Sequence, residues 1–134
     1  MIDVRISVGT EQSEALAASG RTIPPPFSVS GLVDTGAEVT AIQRSIIDWM
    51  GIPTVGFMEV SSSVLGGQVR TVPIYRLRMT FGSLADPDTP KWRTIDAIGV
   101  DVVSPGASVL IGRDLLATCR FTYDGRKHRL MMSY

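Results

Sequence analysis

The stretch "SGLVDTGAEVTAI", residues 30–42, decides how this chain is read. Two large apolar residues, Leu32 and Val33, run directly into Asp34, and the chain then bends through Thr35, Gly36 and Ala37. Alternation along a strand puts Leu32 and Asp34 on one face and Val33 on the other. Asp34 therefore points where Leu32 points, at the mouth of whatever that face lines. Thr35 can tie its hydroxyl to neighbouring backbone, and Gly36 permits a close approach that a side chain would block. On the tripeptide alone the commoner reading is an Asx-turn, in which Asp34 bonds its own backbone.

Working outward, residues 27–33 read as the strand that delivers Asp34. Residues 2–8 alternate apolar Ile2, Val4, Ile6 and Val8 with Asp3, Arg5 and Ser7, the pattern of a half-buried strand. Residues 9–26 carry small and polar residues and three prolines, and read as a long surface loop with a helical turn near residues 14–18. After the Asp-Thr-Gly bend, "RSIIDWMGIP" predicts a short helix with Ile46, Ile47 and Met50 on one face, stopped by Gly51 and Pro53. Strand-like runs follow at residues 56–60, 69–81, 92–103 and 109–112. "GRDLLATC" starts a short helix, and "RFTYDGRKHRLMMSY" reads as a hairpin with Asp124-Gly125 as its turn signal. Many short strands, few helices, no repeat and a length of 134 residues predict one domain, residues 1–134. Its class is all-β: a closed β-barrel with one or two short helices.

Composition narrows the function classes. Thirteen basic residues balance thirteen acidic ones, which leaves no electrostatic footprint for nucleic acid or an anionic membrane. The one basic cluster, "GRKHR" at 125–129, reads as a solvated turn. No apolar run is long enough to span a bilayer, and Asp3 and Arg5 break the N-terminal pattern that a signal peptide needs. The single cysteine, Cys119, makes neither an internal disulfide nor a metal pattern, so a reducing, cytoplasmic setting is expected. No metal or other cofactor is expected.

Two further stretches join Asp34. "SVLIGRDLL", residues 108–116, places an apolar run before Gly112 and the charged pair Arg113-Asp114 after it; alone it reads as a buried strand capped by a helix start. "VLGGQVRTVPIY", residues 64–75, reads as a hairpin tip with paired glycines. In this order, "DTGAEVT", "LGGQV" and "LIGRDLL" resemble the retroviral-type aspartic proteases, the retropepsins, in a cellular or bacterial rather than viral form. The resemblance covers roughly residues 27–116.

The resemblance implies an acid-protease barrel of a single lobe, with a flap, that hydrolyses peptide bonds as a two-fold homodimer. One Asp-Thr-Gly per chain supplies half a site, so Asp34 of each subunit would meet on the two-fold axis. One carboxyl stays protonated while its partner acts as base on a water; aspartic proteases are the standard illustration of such a shared proton. Catalysis would rest on Asp34, Thr35 and Gly36, with Thr35 interlocking the two turns. Substrate would meet Leu32, Ala37, Glu38, Leu65, Gly66, Gly67, Ser108 and Leu110, while Val109 and Ile111 turn into the core. Arg113 would pair with Glu38 beneath the site, partly buried, where retroviral members usually carry Asp in place of Glu38. The expected substrate is an extended peptide cut beside large apolar residues. The chain departs from the retroviral pattern in the length of residues 9–26 and in its C-terminal hairpin, so residues 130–134 are a candidate dimer contact. The rival reading is a dimeric β-barrel that binds peptide or protein with little or no cleavage.

Overall fold

The computed structural model describes residues 1–61, 67–81, 91–101 and 103–133. Strand β1 spans Ile2–Val8, and the helix α1 spans Thr10–Ala18. Strand β2 is Phe27–Val33, β3 is Ala41–Gln43, and the helix α2 is Arg44–Met50. The hairpin partners β4 and β5 cover Thr54–Ser61 and Val69–Phe81, followed by β6 at Arg93–Val100 and β7 at Val109–Ile111. The chain finishes with α3 at Arg113–Leu116, β8 at Arg120–Asp124 and β9 at Arg129–Ser133.

Six strands close into a barrel in the order β1-β2-β7-β3-β6-β5, and β5 returns to pair with β1. The long strand β5 makes this closure possible. Its first half pairs antiparallel with β4, from Ser61↔Val69 to Thr54↔Tyr75. Its second half pairs with β1, from Val8↔Leu77 to Val4↔Phe81. Its other edge carries β6 between Ile74↔Ile98 and Met79↔Arg93. Strand β4 thus stands outside the ring.

Alternation sends one set of side chains inward. Val4, Ile6, Val8, Leu77, Met79, Phe81, Val109 and Ile111 have no solvent exposure. Each such aliphatic or aromatic side chain contributes about 1.5–3 kcal/mol of burial. Helix α2 adds Ile46, Ile47 and Met50 to the same core, and the left-handed Gly51 ends it, as its sequence predicts. The outward set forms an apolar row across five strands. Leu32 lies beside Leu110, Leu110 beside Ala41, Ala41 beside Ile98, and Ile98 beside Ile74.

Several expectations need correction. The segment after β1 is not a loop with one helical turn, because α1 runs for nine residues. It buries no residue and so lacks the apolar stripe that announces a helix. Strand β6 ends at Val100 rather than continuing to Val103, and the chain bends at Asp101. Strand β3 was not anticipated. The C-terminal hairpin is present, but its turn takes four residues, 125–128, with Asp124 Oδ1 accepting from the N–H groups of Arg126 at 3.1 Å and Lys127 at 3.3 Å. Among the described residues no helix is long and apolar enough to cross a membrane.

Candidate active site at Asp34

Strand β2 reaches its end at Val33, where the parallel neighbour β7 ends at Ile111. The ladder takes one more step, as the Asp34 N–H donates to Ile111 O at 3.0 Å. The chain then turns: Ala37 N–H donates to Asp34 O at 3.2 Å, and Gly36 N–H donates to Asp34 Oδ1 at 2.9 Å. The Asx-turn is therefore real. It holds one carboxylate oxygen, and among the described residues no hydrogen bond reaches Oδ2. The half-buried carboxylate is oriented by its own loop through one of its two oxygens.

The loop lies along the start of α3. Arg113 N–H donates to Ala37 O at 2.9 Å, and Asp114 N–H donates to Glu38 O at 3.2 Å. These two bonds satisfy helix-start donors that have no partner within α3. The crossing is so close that only glycine fits at position 112. A Cβ there would lie 2.6 Å from the carbonyl carbon of Val39 and 2.9 Å from Thr40 N.

Asp34 opens into a groove of about 880 Å³. One wall is the loop itself, with Gly36, Ala37, Glu38 and Val39, and Arg113 beside it. The opposite wall is β4, through Met58, Glu59, Val60 and Ser61. The floor is part of the outward apolar row, with Ala41, Ile98 and Leu110, extended by Val100. Strand β4 pairs only with β5, so among the described residues its other edge keeps free backbone donors and acceptors.

The residues picked out from sequence divide as follows. Asp34, Gly36, Ala37, Glu38 and Leu110 come together in the groove. Thr35 is exposed on the turn beside it. Leu32 and Ser108 lie outside the lining; Leu32 shares the outward row but stands 36% exposed at its open end. Gly67 begins the β5 side of the hairpin with a left-handed φ of 77°. Leu65 and Gly66 fall outside the described residues.

Arg113 does pair with Glu38, Nη2 to Oε1 at 3.3 Å. The pair is not buried, however: the two side chains are 55% and 82% exposed. Backbone bonds, rather than this ion pair, fasten the loop to α3, so the charged groups remain in water. Arg113's neighbour holds the buried part of the site. Asp114 Oδ1 accepts from the Thr40 hydroxyl at 2.6 Å and from Leu115 N–H at 2.7 Å, and Oδ2 accepts from Thr40 N–H at 3.0 Å. Thr40 Oγ1 in turn accepts from Gly112 N–H at 3.1 Å. Sequence reasoning gave Thr40 no role and named Asp114 only as half of the charged pair after Gly112. The available signal was a threonine at the buried phase of "EVTAI" and a carboxylate at the first turn of a helix.

Among the described residues no group of three or more His, Cys, Asp or Glu side chains is gathered to hold a metal. Neither a protein-family profile nor a curated protein matches the sequence.

Proposed function

We propose that this chain is one half of a retropepsin-like aspartic endopeptidase, active as a homodimer. The observation that carries the reading is the placement of Asp34. Its carboxylate stands at the end of an apolar strand, aimed by its own turn into a groove with an apolar floor and a free strand edge. A peptide laid in extended form along that edge can add a strand to β4 and bury a large apolar side chain against Ile98 and Leu110. A second copy related by a two-fold brings the second carboxylate. One of the two takes a proton from a water as the water attacks the peptide carbonyl, and the protonated partner donates to the developing oxyanion. Thr35, exposed on the turn, is free to meet its counterpart across the axis. Leu32, at the open end of the apolar row, faces the same way as Asp34 and would meet either substrate or the second copy.

The test is a peptide-library digest with wild type and Asp34→Asn. Cleavage beside large apolar residues by wild type, abolished in Asp34→Asn, is expected. The total rate should fall with the square of enzyme concentration below the dimer dissociation constant. A rate linear at every dilution, or undiminished cleavage by Asp34→Asn, defeats the reading.

One observation favours the binding module instead. The Gly36–Asp34 hydrogen bond gives the carboxylate a structural duty, independent of catalysis. In that case wild type and Asp34→Asn would bind the same extended peptides, and neither would cut them.

A further inference from the structure

We propose that Thr40 and Asp114 are positioning residues for Asp34, a role that rests on reading Asp34 as the reacting carboxylate. Thr35, Gly36 and Glu38 are all exposed, so the loop has little packing of its own. Its position comes from the segment it crosses. The three backbone bonds to Ile111, Arg113 and Asp114 set its distance from that segment. The far end is Thr40, fully buried, whose O accepts from Ile98 N–H at 3.0 Å and whose N–H and hydroxyl both reach Asp114.

The Thr40 hydroxyl is used in both directions. It donates to Asp114 Oδ1 at 2.6 Å and accepts from Gly112 N–H at 3.1 Å. Its own N–H takes the second carboxylate oxygen at 3.0 Å. Residues 74 positions apart are thereby locked in one register. The loop from Asp34 to Thr40 becomes a closed ring, joined at Ile111 and again at Asp114. A charge-assisted pin of this kind, with Thr40 buried and Asp114 half-buried, is rigid, and leaving any member unpaired is costly. Reacting groups need placement to about 0.5 Å, and an error near 1 Å typically costs about 100-fold in rate. The Thr40–Asp114 pin supplies that placement from six residues away, touching no substrate.

The test uses the full chain. Thr40→Val keeps the shape but removes the hydroxyl, Thr40→Ser keeps the hydroxyl, and Asp114→Asn turns one acceptor into a donor facing Thr40 N–H. For Thr40→Val and Asp114→Asn, kcat should fall about tenfold or more with KM within about twofold. Thr40→Ser should return kcat to within about threefold of wild type. A second readout needs no cleavage. Amide hydrogen exchange at Gly36, Arg113 and Asp114 should accelerate about tenfold or more in Thr40→Val, with β1 and β5 unchanged. If wild type cuts no peptide, the protease reading fails, yet the local exchange pattern still decides whether the pin holds the Asp34 loop. Exchange that is unaltered, or raised evenly across the barrel, overturns the proposal. An active Thr40→Val with kcat within twofold of wild type overturns it too. Should Thr40→Val not fold, Asp114→Asn and Thr40→Ser are measured by the same two readouts and judged by the same limits.

Discussion

The two walls of the groove are built on opposite principles. The Asp34 wall is a short irregular loop held by the core: it bonds Ile111, Arg113 and Asp114, and it ends on the fully buried Thr40. The β4 wall is regular strand, but it stands at the edge of the sheet with one neighbour. Its groove-side residues Met58 and Val60 are half-buried, while Val55 and Phe57 are exposed. Regular secondary structure is therefore no guide to which wall is fixed. A loop is fixed when its polar groups end on buried partners, and a strand is loosely held when one edge and one face meet water. On the proposed reading, the reacting carboxylate stands on the first kind of wall. A surface that must admit and release a chain belongs on the second.

Four substitutions or conditions can break or sharpen this contrast. The largest effect is expected where the loop crosses α3. Gly112→Ala drives a methyl into the backbone of Val39 and Thr40, neither of which can yield without moving the loop. Overpacking of this kind costs about 3 kcal/mol. A urea melt should show it, and a midpoint close to wild type would mean that the Asp34 wall is looser than its hydrogen bonds suggest.

On the other wall, Val60→Ala removes a half-buried side chain from an edge strand, and about 1 kcal/mol is expected. Its larger consequence should be weaker binding of an extended peptide, seen by fluorescence polarisation. A loss of stability as large as that of Gly112→Ala would put the two walls on an equal footing.

The third test separates two adjacent residues of the first wall. Arg113→Gln breaks an ion pair whose members are 55% and 82% exposed, so about 0.5 kcal/mol or less should be lost. Asp114, one position on, is half-buried and carries the hydrogen bonds to buried Thr40. If Arg113→Gln costs several times that amount in a thermal melt, exposure is a poor guide here and the ion pair matters as the sequence had implied.

The smallest effect lies just past α3. Burial raises the affinity of the Cys119 thiol for its proton, an effect Arg93 partly opposes. A folded value above the unfolded one stabilises the fold fully below the unfolded value and loses that contribution as pH climbs through the folded value. Stability should therefore slip slightly in mildly alkaline solution, and Cys119→Ala should flatten that slope in melts run across pH. An unchanged slope would assign the alkaline loss to other groups.

Much of this arrangement was legible in the chain. Residues 27–33 and 69–81 read as strands from their runs of β-favouring residues, and β2 and β5 have those bounds. Ile46, Ile47 and Met50, followed by Gly51, give α2. The residues alone read β2 and β7 as separate strands; a shared site for Asp34, Ala37, Glu38 and Leu110 was implied only by the resemblance of "DTGAEVT" and "LIGRDLL" to the retropepsins. Strand β3 was not legible, because three residues are too few to show a period. Of helix α1 only a turn near residues 14–18 was legible, because nothing in it is buried.

By itself the sequence determined which residues alternate, where glycine and proline interrupt them, and that one carboxylate follows an apolar strand into a bend. Those are local properties, fixed by the side chains within a few positions of one another. Tertiary structure alone decided that Leu110 lies in the groove floor while Leu32 and Ser108 do not. It alone decided that the Arg113–Glu38 pair stays in water while Asp114 seals against Thr40. Burial and pairing depend on what the rest of the chain brings alongside. Here the partners lie about seventy-five positions apart and meet only when the barrel closes.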